Sequence, residues 1–384
     1  MLRPHSRRGF LRQSAAIAAG ACTSLAFTGD VNGSSAARLK VGIVGSNGNG
    51  AALSQVVREC DAEVVAHCEA GDRARRELSA AGPRVVAFDD ARSMIERAGL
   101  DAVVIAPGVA GGSEAARIAM QHGCHVWSGP LGESLTETRE LGELARSSGV
   151  QTQVDLRTAC DKLVRHVVAP LQSGAIGRVR EVVCWSNGRN PRGFQSEGHR
   201  VLSLPLSALG LRHPSSIFAA GSERPGAGFP KGMAVRYAFP RRGGQHPLLV
   251  TWYDGAWAPP YESVDGIVLS ECGALYLGES GQLLDDLGTG RATLLLEGES
   301  PRELGSTPAP SDLSVRQWLA ACTGRQQTLT SLDCATILNE TILAGLIAYR
   351  VQQPLEWDGR AMRARNCPAA DALVRSSIDA LAMA

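Results

Sequence analysis

Residues 41–50 read VGIVGSNGNG. An apolar run fit for a buried strand enters a turn dense in glycine and asparagine, and residues 51–58 continue with helical spacing. A helix N-terminus presents free N–H groups and the positive end of its dipole, so a strand–turn–helix of this kind is a phosphate site. A second apolar strand is expected at 63–68, and Glu69 follows it. In dinucleotide folds an acid about 20 residues past the last fingerprint glycine hydrogen-bonds the adenosine ribose. Gly45, Asn47, Gly48, Asn49, Gly50 and Glu69 are therefore the candidate cofactor-binding set, and Glu69 points to NAD rather than NADP. The fingerprint G-x-G-x-x-G is incomplete: Gly45 and Gly50 hold the outer places, but Asn47 stands at the middle glycine. A side chain there competes with the pyrophosphate for space, so the expected binding of NAD is weak.

A chain of 384 residues is long enough for roughly two domains, each with its own core. The formal net charge is +1, and the 39 basic residues include only three lysines, Lys40, Lys162 and Lys231. No arginine stripe with interleaved aromatics marks a nucleic-acid surface. The ten cysteines are scattered without a C-x-x-C pair, so no metal site is expected, and several lie in apolar runs where a thiol acts as a small hydrophobe.

The first 29 residues carry four arginines and no acid, and SRRGFLR at 6–12 precedes a short Ala-rich apolar segment. That is the pattern of a twin-arginine export signal, which places the protein in the periplasm or otherwise outside the cytoplasm. Ala19, Gly20, Ala21 and Cys22 fit a lipoprotein cleavage box and a lipid anchor at Cys22, and in so Ala-rich a stretch coincidence accounts for them equally well. No other stretch has 18 uninterrupted apolar residues, so no transmembrane span is expected in the mature chain.

Three segments follow: a signal and linker at 1–37, a dinucleotide-binding domain at 38–155, and an α+β domain at 156–384. In the second segment, strands expected at 40–45, 63–68, 84–87, 101–106, 124–127 and 150–154 alternate with helices at 50–59, 72–80, 91–98, 113–122 and 134–148. Near-continuous apolar strands between helices read as a doubly wound parallel sheet covered on both faces. A helix is expected at 161–173. Beyond it the rhythm changes to strands at 180–186, 233–239, 248–253, 267–271, 274–278 and 292–297, which describe a large, mostly antiparallel sheet. Helices at 314–323 and 332–351 precede an irregular tail.

With this order go several short phrases: DAVVIA at 101–106, SGAIGRVREV at 173–182, LGLRHPS at 209–215, LVTWYDG at 249–255, RQWLAAC at 316–322 and LEWD at 355–358. Together they resemble the Gfo/Idh/MocA family of glucose–fructose oxidoreductases and inositol dehydrogenases, above all its exported bacterial branch with twin-arginine signals. The resemblance spans about residues 39–377. It implies an NAD(P)-dependent enzyme acting on a hydroxyl of a sugar or cyclitol, a saccharide or polyol ligand, and a homo-oligomer formed through the C-terminal sheet.

The family's active positions are not kept. Where it has Glu-Lys-Pro after the fifth strand, the lysine polarising the reacting oxygen, the chain has Ser128, Gly129 and Pro130. Where the branch has Thr-Pro-Asp-His-Trp-His after the fourth strand, residues 107–112 read PGVAGG, and its Gly-Asn-Gln becomes Asp155, Leu156 and Arg157. Its Gly-Cys-His-x-x-Asp falls on residues 198–203, which puts Arg200 at the catalytic histidine and Ser203 at the aspartate. Arginine stays protonated and cannot act as a base. Only ten residues separate Asn187 from Gly198, where the branch carries several dozen that wall its substrate pocket, so a shallower cleft is expected. The reading that follows is a pseudoenzyme, oxidoreductase-like in fold and without hydride transfer. The alternative is a working NAD-dependent dehydrogenase of a sugar or cyclitol with a rearranged site, whose base is His199 or Asp155.

Overall fold

Strand β1 (Lys40–Val44), apolar from Val41 onward and buried there, lies inside a six-stranded sheet. The computed structural model describes residues 38–45, 50–60, 62–68, 85–156, 164–187, 193–223, 230–241, 246–255, 257, 259–306, 313–325, 327–328 and 330–383. The export signal, Cys22, the helix expected at 72–80, and Asn47, Gly48, Asn49 and Glu69 lie outside them.

The other strands of this sheet are β2 (Glu63–Cys68), β3 (Val86–Phe88), β4 (Ala102–Ile105), β5 (His125–Ser128) and β6 (Thr152–Val154). Their order is β3-β2-β1-β4-β5-β6, and every pair is parallel. Helices α1 (Gly50–Glu59), α2 (Ala91–Arg97), α3 (Gly112–Gln121) and α4 (Leu135–Ser148) connect them. Local chemistry sets the helix ends. The Asp90 carboxylate accepts from the Ser93 N–H at 2.7 Å to start α2, Ser134 accepts from the Glu137 N–H at 3.2 Å to start α4, and Gly149 at φ +71° stops α4.

A turn of π-helix (Val164–Val168) and the short helix α5 (Ala169–Ser173) lead into the second sheet. Its strands are β7 (Glu181–Ser186), β8 (Ser216–Gly221), β9 (Gly232–Phe239), β10 (Leu248–Gly255), β13 (Cys272–Leu277), β14 (Gly281–Asp286), β15 (Arg291–Leu296), β16 (Arg302–Ser306), β17 (Leu355–Asp358) and β18 (Arg363–Ala364). The order is β16-β15-β14-β13-β7-β10-β9-β8-β17-β18, antiparallel except where β10 pairs β7. The short hairpin of β11 (Ser263–Val264) and β12 (Ile267–Val268) stands apart. One face of the large sheet packs on helices, and the hairpin contributes Val264 to a small cluster with Val183, Trp185, Leu275, Leu284 and Leu295 on the other.

Several elements differ from the sequence reading. The strand expected at 267–271 is a two-residue strand whose chain turns at Ser270, because the Ser270 hydroxyl bonds the Asp286 carboxylate and the Cys272 carbonyl. Helix α6 (Gly193–Ala208) carries Pro205 inside it and a weakly segregated apolar face, so its periodicity is hidden. Strands β8, β14 and β16 are short and Gly-flanked, and the tail contains β17, β18 and the helices α9 (Pro368–Ala372) and α10 (Ile378–Met383).

Two late helices pack on the parallel sheet. Val315, Trp318 and Leu319 of α7 (Leu313–Cys322) join Val41, Ile43, Val104 and Trp127 in one buried cluster. Helix α8 (Leu332–Val351) is long and apolar enough by composition to cross a membrane, but it lies inside this fold, with 78% of its apolar window buried. Its Leu338, Ile342, Leu346 and Ile347 belong to a core that also holds Leu141 of α4 and Val235 and Tyr237 of β9. Each such apolar side chain contributes about 1.5–3 kcal/mol by leaving water.

Polar pins reinforce this seam. Arg139 of α4 grips both oxygens of Glu340 of α8, at 2.7 and 2.6 Å, and also donates to the Gly359 and Arg360 carbonyls at 2.8 and 2.9 Å.

Candidate functional site

The site is assembled from the carboxyl ends of the parallel strands, where the strand order reverses between β1 and β4. Gly45, immediately after β1, has φ +79° and donates its N–H to the Cys68 carbonyl at 2.9 Å. Helix α1 begins at Gly50, so a strand, a left-handed glycine and a helix start follow one another along the chain. In dinucleotide folds the pyrophosphate sits at such a helix start. When bound, NAD would supply hydride acceptance at its nicotinamide ring.

The segment after β4 contributes no titratable group. Val109 lies over Gly45, where an added Cβ would come within 2.7 Å of Val109 Cγ2, and it also backs Gly112 at the head of α3. An apolar side chain thus occupies the stretch where the resemblance implies imidazoles. After β5, Ser128 is buried and Gly129 lies against Pro107. A Cβ at residue 129 would sit 3.0 Å from Pro107 Cβ and 3.1 Å from Pro107 Cα, a tight contact that requires the loop after β4 to give by a few tenths of an ångström.

Asp155 follows β6, and its N–H donates to the Ser128 carbonyl at 2.8 Å, which sets it beside Gly129. Its residue is exposed, yet protein around the carboxyl raises its pKa by desolvation, and a hydrogen bond from Ser314 works in the opposite direction. Ser314, on α7, also accepts from Trp127 Nε1 at 3.0 Å and Gln153 Nε2 at 3.3 Å.

His199 lies elsewhere, on the buried face of α6. Its Nδ1 is 2.6 Å from the Gln195 carbonyl and its Nε2 is 3.0 Å from Asn339 Oδ1. The Asn339 amide nitrogen faces the Leu131 and Gly132 carbonyls at 2.8 and 2.9 Å, which fixes the oxygen toward the ring. Both ring nitrogens are therefore covered by protein atoms. Desolvation lowers the His199 pKa and outweighs the two hydrogen bonds that raise it. Arg200, one residue on, points to the surface, with Nε 3.0 Å from Glu197 Oε2 and Nη2 2.8 Å from Cys272 Sγ. Ser203 is buried and donates to the Arg200 carbonyl at 3.4 Å within its own helix. Gly129 and Asp155 are thus adjacent, while His199 is sequestered in the seam between α6 and α8.

A buried carboxylate escaped the sequence reading. Asp254, closing β10, accepts from the Met233 N–H at 2.7 Å and Trp252 Nε1 at 3.1 Å, and burial pushes its pKa up to about 6. Phe194 at the head of α6 donates its backbone N–H to it as well, so Asp254 caps that helix from the sheet. Its sequence signal was present but unread, since an acid ending an apolar strand has no neighbour in sequence to explain it. Ser314 had no such signal, because its partners lie 161 and 187 residues away. Among the described residues, no three His, Cys, Asp or Glu side chains converge to hold a metal.

Comparison with known proteins agrees with this geometry. Residues 39–156 match the GFO_IDH_MocA family, described as an oxidoreductase family with an NAD-binding Rossmann fold. No curated protein sequence matches the chain. Among solved structures, UDP-N-acetylglucosamine 3-dehydrogenase from Acidithiobacillus ferrooxidans superposes with a TM-score of 0.63 at 13% identity, over 82% of this chain and 99% of that one. Aldose-aldose oxidoreductase from Caulobacter crescentus, complexed with glycerol, gives 0.63 at 14% identity over 83% and 100%. An NAD binding oxidoreductase from Klebsiella pneumoniae gives 0.64 at 15% identity over 83% and 98%. These likenesses establish a shared fold across both sheets. Residues 39–156 thus match the NAD-binding Rossmann domain of the Gfo/Idh/MocA oxidoreductase family, and the large mostly antiparallel sheet beyond it completes a fold shared with these solved structures.

Proposed function

We propose that the chain is an exported, oxidoreductase-like protein that holds NAD weakly and has lost hydride transfer. The observation that carries this reading is Gly129 itself, which offers no side chain where the resemblance implies a lysine and packs tightly against Pro107. Its support comes from His199, whose ring nitrogens both face protein oxygens, and from Arg200, whose guanidinium is engaged by Glu197 and Cys272. A positioned acid or base must reach the proton it moves, and neither His199 nor Arg200 offers a free lone pair.

The second reading, a rearranged dehydrogenase, rests on Asp155, a carboxyl of raised pKa at the strand ends. Turnover of a polyol that is lost on Asp155→Asn would favour it.

Titration calorimetry tests the cofactor. NAD is expected to bind weakly and NADP more weakly still, because the carboxylate of Glu69 repels a ribose 2′-phosphate. Asn47→Gly should tighten NAD by removing the side chain that competes with the pyrophosphate. Tighter binding of NADP than of NAD overturns the role given to Glu69.

For export, replacing both Arg7 and Arg8 with lysine is expected to strand the precursor in the cytoplasm. Cell fractionation with unchanged export of that variant overturns the twin-arginine reading. A saccharide or polyol is the ligand class we assign to the cleft. Self-association is assigned to the outer face of the large sheet, where Phe218 is 46% exposed on β8.

A further inference from the structure

His199 on α6 is set between two groups that can only accept. Its Nδ1 lies 2.6 Å from the Gln195 carbonyl and its Nε2 3.0 Å from Asn339 Oδ1. A carbonyl carries no proton, so the Nδ1–H donates to Gln195. The Asn339 amide is oriented from its far side, where its nitrogen meets the Leu131 and Gly132 carbonyls at 2.8 and 2.9 Å and Thr138 Oγ1 at 2.7 Å. Turned round, it would set an oxygen against two carbonyl oxygens. As the chain is folded, Nε2 must therefore donate as well, and a ring with two N–H donors is an imidazolium. A neutral ring fits the same place in another way. The Gln195 carbonyl is helix backbone and cannot turn away, so the remaining proton stays on Nδ1, while the Asn339 amide can rotate to give its nitrogen to Nε2. That rotation removes both of its bonds to the Leu131 and Gly132 carbonyls.

We propose that His199 and Asn339 form a proton-operated latch on the loop that follows β5: with His199 charged, Asn339 holds the Leu131 and Gly132 carbonyls, and with His199 neutral the amide turns to the ring and lets them go. The loop begins with Gly129 and Pro130 at the carboxyl end of the parallel sheet. Gly132, at φ +95°, packs against Thr138 of α4 and donates its N–H to Ser113 Oγ of α3 at 3.1 Å, so the loop is seated by three helices and the proton acts through α8. The charged groups on the elements around the ring are engaged with one another. Glu197 and Arg200 of α6 pair at 3.0 Å, Glu340 of α8 is held by Arg139 of α4 at 2.6 Å, and Glu137 of α4 accepts from the Glu133 N–H at 2.7 Å. Burial and the two hydrogen-bond partners thus govern the ring. Burial is the larger effect, so His199 takes up its proton below its ordinary value of 6.5. The folded chain then binds that proton less readily than the unfolded chain, and closing the latch in acid costs stability over the window from 6.5 down to the folded value.

Nitrogen NMR of the histidine rings and deuterium exchange of the loop amides, both on the full chain from about pH 5 to pH 8, test this. The His199 ring should carry two N–H groups at the acid end and lose the Nε2 proton as pH rises. With the same midpoint, exchange of the 131–133 amides should rise about three- to tenfold beyond the general base-catalysed increase, the worth of a net hydrogen bond. Asn339→Ala should leave the loop in fast exchange at every pH. His199→Gln, which cannot be charged and keeps Asn339 in place, should remove the midpoint from the loop's exchange, and it serves equally where Asn339→Ala fails to fold. A ring that holds one charge state across the range, a ring that gives up the Nδ1 proton instead, or a loop that keeps its midpoint in His199→Gln overturns the latch.

Discussion

Purified protein mixed with NAD and a broad panel of sugars, polyols and inositols is expected to yield no NADH, and Gly129→Lys is expected not to restore it. The expected inactivity follows from two absences at the strand ends. Positioned acid–base catalysis is worth about 10²–10⁴-fold, and electrostatic stabilisation of the oxygen that gains charge is worth roughly another few kcal/mol. Reintroducing the lysine supplies neither in working order. Its Cβ would sit 3.0–3.1 Å from Pro107, so the loop after β4 must shift by a few tenths of an ångström before the ammonium can be placed. Overpacking of this kind costs about 1–3 kcal/mol, and the variant should lose stability without gaining activity. Asp155, beside residue 129, would pair with the new ammonium, while His199 is enclosed and an arginine at residue 200 has no acceptor for a proton. Spectrophotometric NADH formation and urea denaturation read the two effects. Robust wild-type turnover abolished by His199→Ala, or a gain of turnover in Gly129→Lys, would sink this reading.

The second large effect concerns the seam between α4 and α8. Glu340→Ala is expected to destabilise the fold by about 3–5 kcal/mol, because it leaves the Arg139 guanidinium mostly buried without its counter-charge. The Gly359 and Arg360 carbonyls, 2.8 and 2.9 Å away, satisfy part of its hydrogen bonding but none of its charge. Replacing both partners, as Arg139→Met with Glu340→Leu, should recover most of the loss, since a well-packed apolar pair needs no desolvated ions. Equilibrium denaturation of the two single variants and the double variant tests this. A loss under about 1 kcal/mol in Glu340→Ala, or a double variant as unstable as the single, contradicts a pair that acts through its charge.

Local chemistry made the parallel sheet legible. Its strands are apolar on both faces, its helices are capped by Asp90 and Ser134, and each connection is short, so periodicity and punctuation agree. The large sheet was less readable for physical reasons. Strand β14 is covered on both faces, with Leu283 in one cluster and Leu284 in the other, yet it carries Asp285 and Asp286, and α6 spends its length against other elements on most sides, which erases the polar stripe that marks a surface helix. At the site, the substitutions at Gly129, Arg200 and Ser203 could be read from order along the chain. Their consequences could not. That Pro107 packs against Gly129, that the two nitrogens of His199 face Gln195 and Asn339, and that Ser314 accepts from Trp127 and Gln153 are contacts between residues far apart along the chain or set by packing.

The placement of α7 and α8 against the parallel sheet bears on how the chain is made. A ribosome releases the six strands of that sheet long before it releases residues 313–351, yet Trp318 and Leu319 cover one of its faces and Leu338 and Ile342 belong to the core on the other. During elongation the crevice that matches an NAD-binding domain exists only as an incompletely covered sheet, open to chaperones and slow to close because its contacts are distant in sequence. The last cover of the sheet thus arrives late in synthesis, and a ligand that binds only the completed fold would stabilise that last step.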